Sequence, residues 1–137
     1  MPLHYLDSSA VVKLIRDEPE SIALRAHLVG SDLVSCELVL TEVPRAIHRA
    51  AGSEPDLDLV RLLRTAAAVI DALALVPIDR PVLSAAGALS MPVLRALDAI
   101  HVVAAAGLGA IDSFVTYDTR QAAAAHAAGL PVVVPAR

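Results

Sequence analysis

One cysteine, no tryptophan and only three aromatic residues, Tyr5, Phe114 and Tyr117, are the first things missing from this 137-residue chain. The solitary Cys36 excludes an internal disulfide and suits a reducing compartment. So few aromatics exclude the stacking surface on which RNA-recognition sheets and oligonucleotide-binding barrels lay bases. The amino terminus lacks a basic stretch followed by an apolar run and a small-residue cleavage site, so a cytoplasmic location is expected. No apolar stretch approaches the roughly 18 residues that a membrane span needs. The run Val102 to Ile111 stops after 10. Positive charge is also short, with 11 Lys and Arg against 15 Asp and Glu and a formal charge of −4. The field of the whole molecule therefore repels nucleic acid, and a polyanionic partner needs local basic residues or bound cations.

What is abundant is apolar residue, 56% against 19% charged, enough to fill a core and exclude disorder. The length suits a single domain spanning residues 1–137, able to remove about 68% of its unfolded surface from water. Short apolar runs at Leu3–Leu6, Leu33–Cys36, Ala74–Ile78, Phe114–Tyr117 and Pro131–Val134 read as strands covered on both faces. Between them, helices are predicted at Ser9–Arg16, Pro19–Val29, Glu37–Ala51, Leu57–Leu73, Pro81–Leu89, Leu94–Ala106 and Arg120–Ala128. That alternation gives an α/β class with a central parallel sheet of about five strands and helices on both faces. Pro44 falls inside the third helix, removes one backbone donor, and predicts a kink beside Glu42.

Open parallel sheets bind ligands outside the carboxyl ends of their strands. Asp7 follows the first strand, Asp118 follows the fourth, and Asp98 opens the helix that runs into the fourth. Glu42 lies about 8 Å down its helix at 1.5 Å per residue, but helical side chains lean back toward the amino end. Each acid also has a structural job open to it. Asp118 with Gln121 resembles a capping box, Asp7 can start a turn, Asp98 can favour a helix dipole, and Glu42 can pair with Arg45 or Arg49. Asp79 also follows a strand, but Arg80 and Pro81 make it a helix cap outside the site.

Two unit charges 4 Å apart repel by about 4 kcal/mol at an effective dielectric of 20, so converging carboxylates need protons or a cation. Acidic oxygens without His or Cys partners suit Mg²⁺, with Mn²⁺ as a substitute, and such an ion also binds phosphate and activates water. The expected chemistry is phosphodiester hydrolysis. Lys13, Arg16, Arg45 and Arg49 are candidate phosphate contacts, or a solvated charged face. His101, one turn after Asp98, reads as a structural imidazole, and Cys36 as a small buried apolar residue.

The stretches Tyr5-Leu6-Asp7-Ser8-Ser9-Ala10, Thr41-Glu42-Val43-Pro44-Arg45-Ala46, Leu97-Asp98-Ala99-Ile100-His101 and Val115-Thr116-Tyr117-Asp118 resemble, in that order, the acidic motifs of PIN-domain ribonucleases. More narrowly, the chain resembles the VapC toxins of bacterial VapBC toxin-antitoxin pairs, over essentially its full length. The resemblance implies a PIN-like three-layer α/β/α sandwich and a Mg²⁺-dependent endoribonuclease, usually a homodimer, held inactive by a cognate VapB-type antitoxin. It makes Asp7, Glu42, Asp98 and Asp118 the metal-binding acidic set and gives Ser9 a place beside the first Asp. At Thr116 many relatives carry another polar or acidic side chain, which leaves the number of ions open. A receiver-like or partner-binding signalling domain is the alternative, but it would pair acids after strand one and place a lysine after its last strand. This chain has Asp7 alone there and no lysine besides Lys13.

Overall fold

The structure, a computed structural model, describes residues 1–91 and 93–136. Five strands, β1 (Leu3–Leu6), β2 (Asp32–Cys36), β3 (Ala74–Val76), β4 (Ser113–Val115) and β5 (Val132–Val133), pair in parallel in the order β3-β2-β1-β4-β5. This is not the 2-1-3-4-5 order of flavodoxin-type and receiver-type sheets, which removes the receiver reading. Seven helices stand among the described residues: α1 (Ser8–Ile15), α2 (Ser21–Leu28), α3 (Val39–Ser53), α4 (Leu59–Asp71), α5 (Arg80–Gly87), α6 (Ala96–Ala106) and α7 (Thr119–Ala127). Helices α1 to α4 cover one face and α5 to α7 the other, a three-layer α/β/α sandwich.

The period of two along each strand builds this arrangement. Tyr5, Val34, Cys36 and Phe114 point into the α5–α7 core, while Leu6 and Val115 point into the α1–α4 core with Val11, Leu24, Val43 and Ile47. Tyr5 and Phe114 stack in the centre, ring centroids 5.1 Å apart. Aspartates start four of the helices, with Asp7, Asp58, Asp79 and Asp118 each accepting backbone N–H bonds in the first turn of α1, α4, α5 and α7.

Element boundaries shift where pairing runs out. The fourth strand ends at Val115 rather than Tyr117, because β1 and β5 supply partners only as far as Val115. Thr116 and Tyr117 therefore lie between strand and helix, and Asp118 follows the sheet at a remove. Helix α3 runs through Pro44 without ending there. Pro44 sits within the first two turns, so its missing donor takes a single bond from a 15-residue helix.

The sheet order reverses between β1 and β4. Strand β1 leads out toward β2 on one side, and the chain returns to lay β4 on the other. The crevice at that switch point, beyond Leu6 and Val115, is where a sheet of this kind receives a ligand.

Candidate active site

Asp7 opens into that crevice from the end of β1, Glu42 from the first turn of α3, Asp98 from the first turn of α6 and Asp118 from the start of α7. With Ser8, Ser9, Arg49, Arg95 and His101 among their neighbours, the four carboxylates line one pocket of about 330 Å³.

Asp7 is the deepest, only 4% exposed. Its Oδ1 accepts from Ser9 Oγ at 2.6 Å and from the Ala10 amide at 3.1 Å, and its Oδ2 accepts from Thr116 Oγ1. Capping and site placement thus coincide in one residue. Burial pushes its carboxyl above the usual value, against these hydrogen bonds and the charge of His101. Thr116 is fully buried beneath the pocket and also accepts the Asp118 amide at 3.1 Å. Ser9 Oγ takes the Tyr117 amide at 2.9 Å, tying α1 to the end of β4.

Glu42 does not pair with Arg45. Its Oε1 accepts from Ser8 Oγ at 2.7 Å and lies 2.8 Å from His101 Nε2. Burial raises its pKa, but the His101 and Ser8 hydrogen bonds and the charges of His101 and Arg49 outweigh burial and leave it below its ordinary value. His101, 2% exposed, reaches back through Nδ1 to Tyr5 Oη at 2.8 Å and to Cys36 Sγ at 3.6 Å. Burial favours the neutral ring, yet the contacts with Cys36 and Glu42 and the nearby charge of Asp7 raise its pKa to about 10, so it donates from both nitrogens. The imidazole read as structural is structural, and what it holds is Glu42. Cys36, read as apolar filler, belongs to the same chain of contacts.

Asp98 makes no hydrogen bond among the described residues. Burial raises its pKa first, followed by the like charges of Asp118, Glu42 and Asp7, against His101. Asp118 uses Oδ1 to cap α7, accepting from the Arg120 amide at 2.8 Å and the Gln121 amide at 3.1 Å. Glu42 Oε2, Asp118 Oδ2 and both oxygens of Asp98 take no donor among the described residues.

That donor set is hard oxygen under mutual repulsion, which fits Mg²⁺ or Mn²⁺. As they stand, no three His, Cys, Asp or Glu side chains among the described residues are gathered tightly enough to cage one ion. Mg²⁺ is commonly held by one or two carboxylates with the rest of its shell water, so the pocket fits a hydrated ion and not a protein cage.

The basic candidates divide. Arg49 lines the pocket and Arg45 is exposed on α3 outside it. Lys13 is drawn into ion pairs with Glu18 and Glu20, both at 3.0 Å, over the Tyr117 ring, and Arg16 donates from Nη2 to both carboxylate oxygens of Glu54 at 2.9 and 3.0 Å. Neither faces the acids, because partners nearby in space satisfy their charge first. Sequence reasoning missed Ser8, His101 and Arg95 as pocket residues. The signal for His101 and Arg95 was their placement one turn either side of Asp98, on its helical face.

No helix among the described residues is long and apolar enough to cross a membrane. The PIN domain family matches residues 4–127. Ribonuclease VapC46 of Mycobacterium tuberculosis (strain ATCC 25618 / H37Rv) is 41% identical over 133 residues, covering 96% of each chain. Among solved structures, VapBC2 from Rickettsia felis bound to a DNA fragment from their promoter superposes with a TM-score of 0.68 at 11% identity, covering 96% of this chain and 98% of that one. PAE2754 from Pyrobaculum aerophilum gives a TM-score of 0.67 at 19% identity, covering 96% of this chain and 84% of that one. At such identities the two structures attest the shared fold.

Proposed function

The chain belongs to the PIN-domain family, alongside the VapC ribonucleases, and from that membership we propose that it is the endoribonuclease toxin of a toxin-antitoxin pair, hydrolysing RNA phosphodiester bonds with Mg²⁺ at its acidic pocket. The observation that carries this reading is the meeting of Asp7, Glu42, Asp98 and Asp118, from four separate elements, in one pocket at the switch point of the sheet.

Asp98, Glu42 and Asp118 offer the free oxygens, of which one or two would hold the ion directly and the rest through its waters, with Asp7 below them, and Mn²⁺ would substitute for Mg²⁺. When bound, the ion supplies a water activated at neutral pH and offsets charge on the phosphate oxygens. Asp7, fixed by Ser9, Thr116 and the Ala10 amide, has one acceptor position left on Oδ2 with which to orient a water. Glu42, held on one oxygen by Ser8 and His101, presents the other at a fixed angle. Buried His101 donates to Glu42 and keeps that carboxylate ionised next to three other acids.

The proposal extends to a VapB-type antitoxin, a homodimeric state and action in the cytoplasm. Exposed Leu83, Val93 and Leu97 support a protein partner, since they leave apolar surface on the α5–α6 side that such a partner would cover. The test is sequencing of RNA ends after brief bacterial expression of the wild type beside soluble Asp98→Asn. New ends and growth arrest are expected with the wild type alone. The same new ends in both would refute the assignment.

A further inference from the structure

We infer that Arg95 and Arg120 bind the RNA phosphate adjoining the one cleaved, a step that rests on the ribonuclease reading above. Beside the acidic pocket lies a second hollow of about 400 Å³, lined by Arg95, Asp98, Tyr117, Asp118, Thr119 and Arg120. The two share Arg95, Asp98 and Asp118, so they form one trough with acids at its centre and these guanidiniums on one flank.

Both arginines are exposed, and neither guanidinium makes an ion pair or hydrogen bond among the described residues, although Asp98 and Asp118 line the same hollow. Three other cations are taken up by carboxylates, and Arg45, Arg61, Arg64 and Arg80, which also make no ion pair among the described residues, line neither hollow. Lys13, Arg16 and Arg25 each close onto a carboxylate at 2.9 to 3.0 Å, and the charge of Arg49 acts on Glu42. Arg95 and Arg120 therefore keep their charge and their planar donor fork for an outside anion, and that fork matches phosphate oxygens two at a time. Their backbone positions are fixed, Arg95 at the start of α6 one turn before Asp98, and Arg120 with its amide bonded to Asp118. On a molecule of net charge −4, phosphate attraction has to be local, and this flank supplies it next to the reaction centre.

The experiment uses the full chain with Mg²⁺ and a fluorescein-labelled, mixed-sequence, single-stranded RNA 12-mer, and measures kcat and KM from 50 to 200 mM salt. Arg95→Ala and Arg120→Ala are each expected to raise KM about tenfold with kcat within about twofold. Each should also flatten the slope of log KM against log salt by about 0.7, the loss of one phosphate contact on a single strand. Arg95→Lys should recover part of the KM, and Arg61→Ala, in a hollow lined by none of the trough residues, should leave it unchanged. Unchanged KM and slope in both alanine variants with cleavage intact would overturn the inference alone, as would a fall in kcat at unchanged KM. A wild type that cleaves no RNA would overturn the proposed function and this inference with it.

Discussion

Thr116→Val gives the sharpest test of how Asp7 is held. The substitution keeps nearly the same volume and deletes one hydroxyl, which donates to Asp7 Oδ2 and accepts the Asp118 amide at 3.1 Å. Thr116 is fully buried and valine fills the same volume, so no water enters at the place of the deleted hydroxyl to replace the lost bond. A hydrogen bond to a charged group contributes about 1.5 to 3 kcal/mol and a neutral one about 1 kcal/mol, so the loss comes to about 3 kcal/mol. At about 2.1 cal/mol/K of unfolding entropy per residue, a chain of 137 residues loses about 3 to 4 °C of Tm per kcal/mol, and the variant should melt about 10 °C below the wild type. Thr116→Ser keeps the hydroxyl and gives up one buried methyl, about 1 kcal/mol or roughly 3 °C. Losing this donor also lets burial push the Asp7 carboxyl higher. Calorimetric melts of the three proteins without added metal, at pH 7, decide the matter. A Thr116→Val protein that melts within about 3 °C of wild type, or no lower than Thr116→Ser, would refute the reasoning.

Two further outcomes are expected. Mg²⁺ at about a hundredfold over its Kd should raise Tm by about 9 °C. Asp79→Ala, which loses only the α5 cap and about 1 kcal/mol, should preserve that rise, whereas Asp118→Asn, which can still cap α7, should cut it. Melts with Mg²⁺ and with chelator check both variants, and equal rises throughout would count against the acidic site. At the opposite end of β1, burial and His27 hold the His4 pKa below 6.5, against Asp112, with Ser113 bonded to both rings. The unfolded chain then binds the proton more readily, so the destabilisation is absent above pH 6.5 and grows as pH falls from 6.5 toward the lowered folded value. Tm followed from pH 7.5 to 5 should drop less in His4→Gln, and parallel slopes would contradict this.

Every strand and helix was legible in order, because strands buried on both faces write themselves as short apolar runs and the intervening segments are long enough for helices. The acids at the rim were legible for a related reason, as topology alone delivers Asp7, Asp98 and Asp118 to the carboxyl edge. What stayed hidden depends on distance in space. His101 and Glu42 are 59 positions apart, and no local pattern announces the bond between them. The same holds for Arg16, whose ion pair with Glu54 spans 38 positions. The end of β4 could not be read from its own residues, since it is set by where its neighbours β1 and β5 stop pairing.

The outer strands β3 and β5 have three and two residues. Such abbreviated margins deny a neighbouring chain the run of open amides along which fibrils grow, and Pro131 and Pro135 bracket the shorter one. For an apolar-rich chain of this size, the sheet thus offers no long open edge on which cross-β pairing could start.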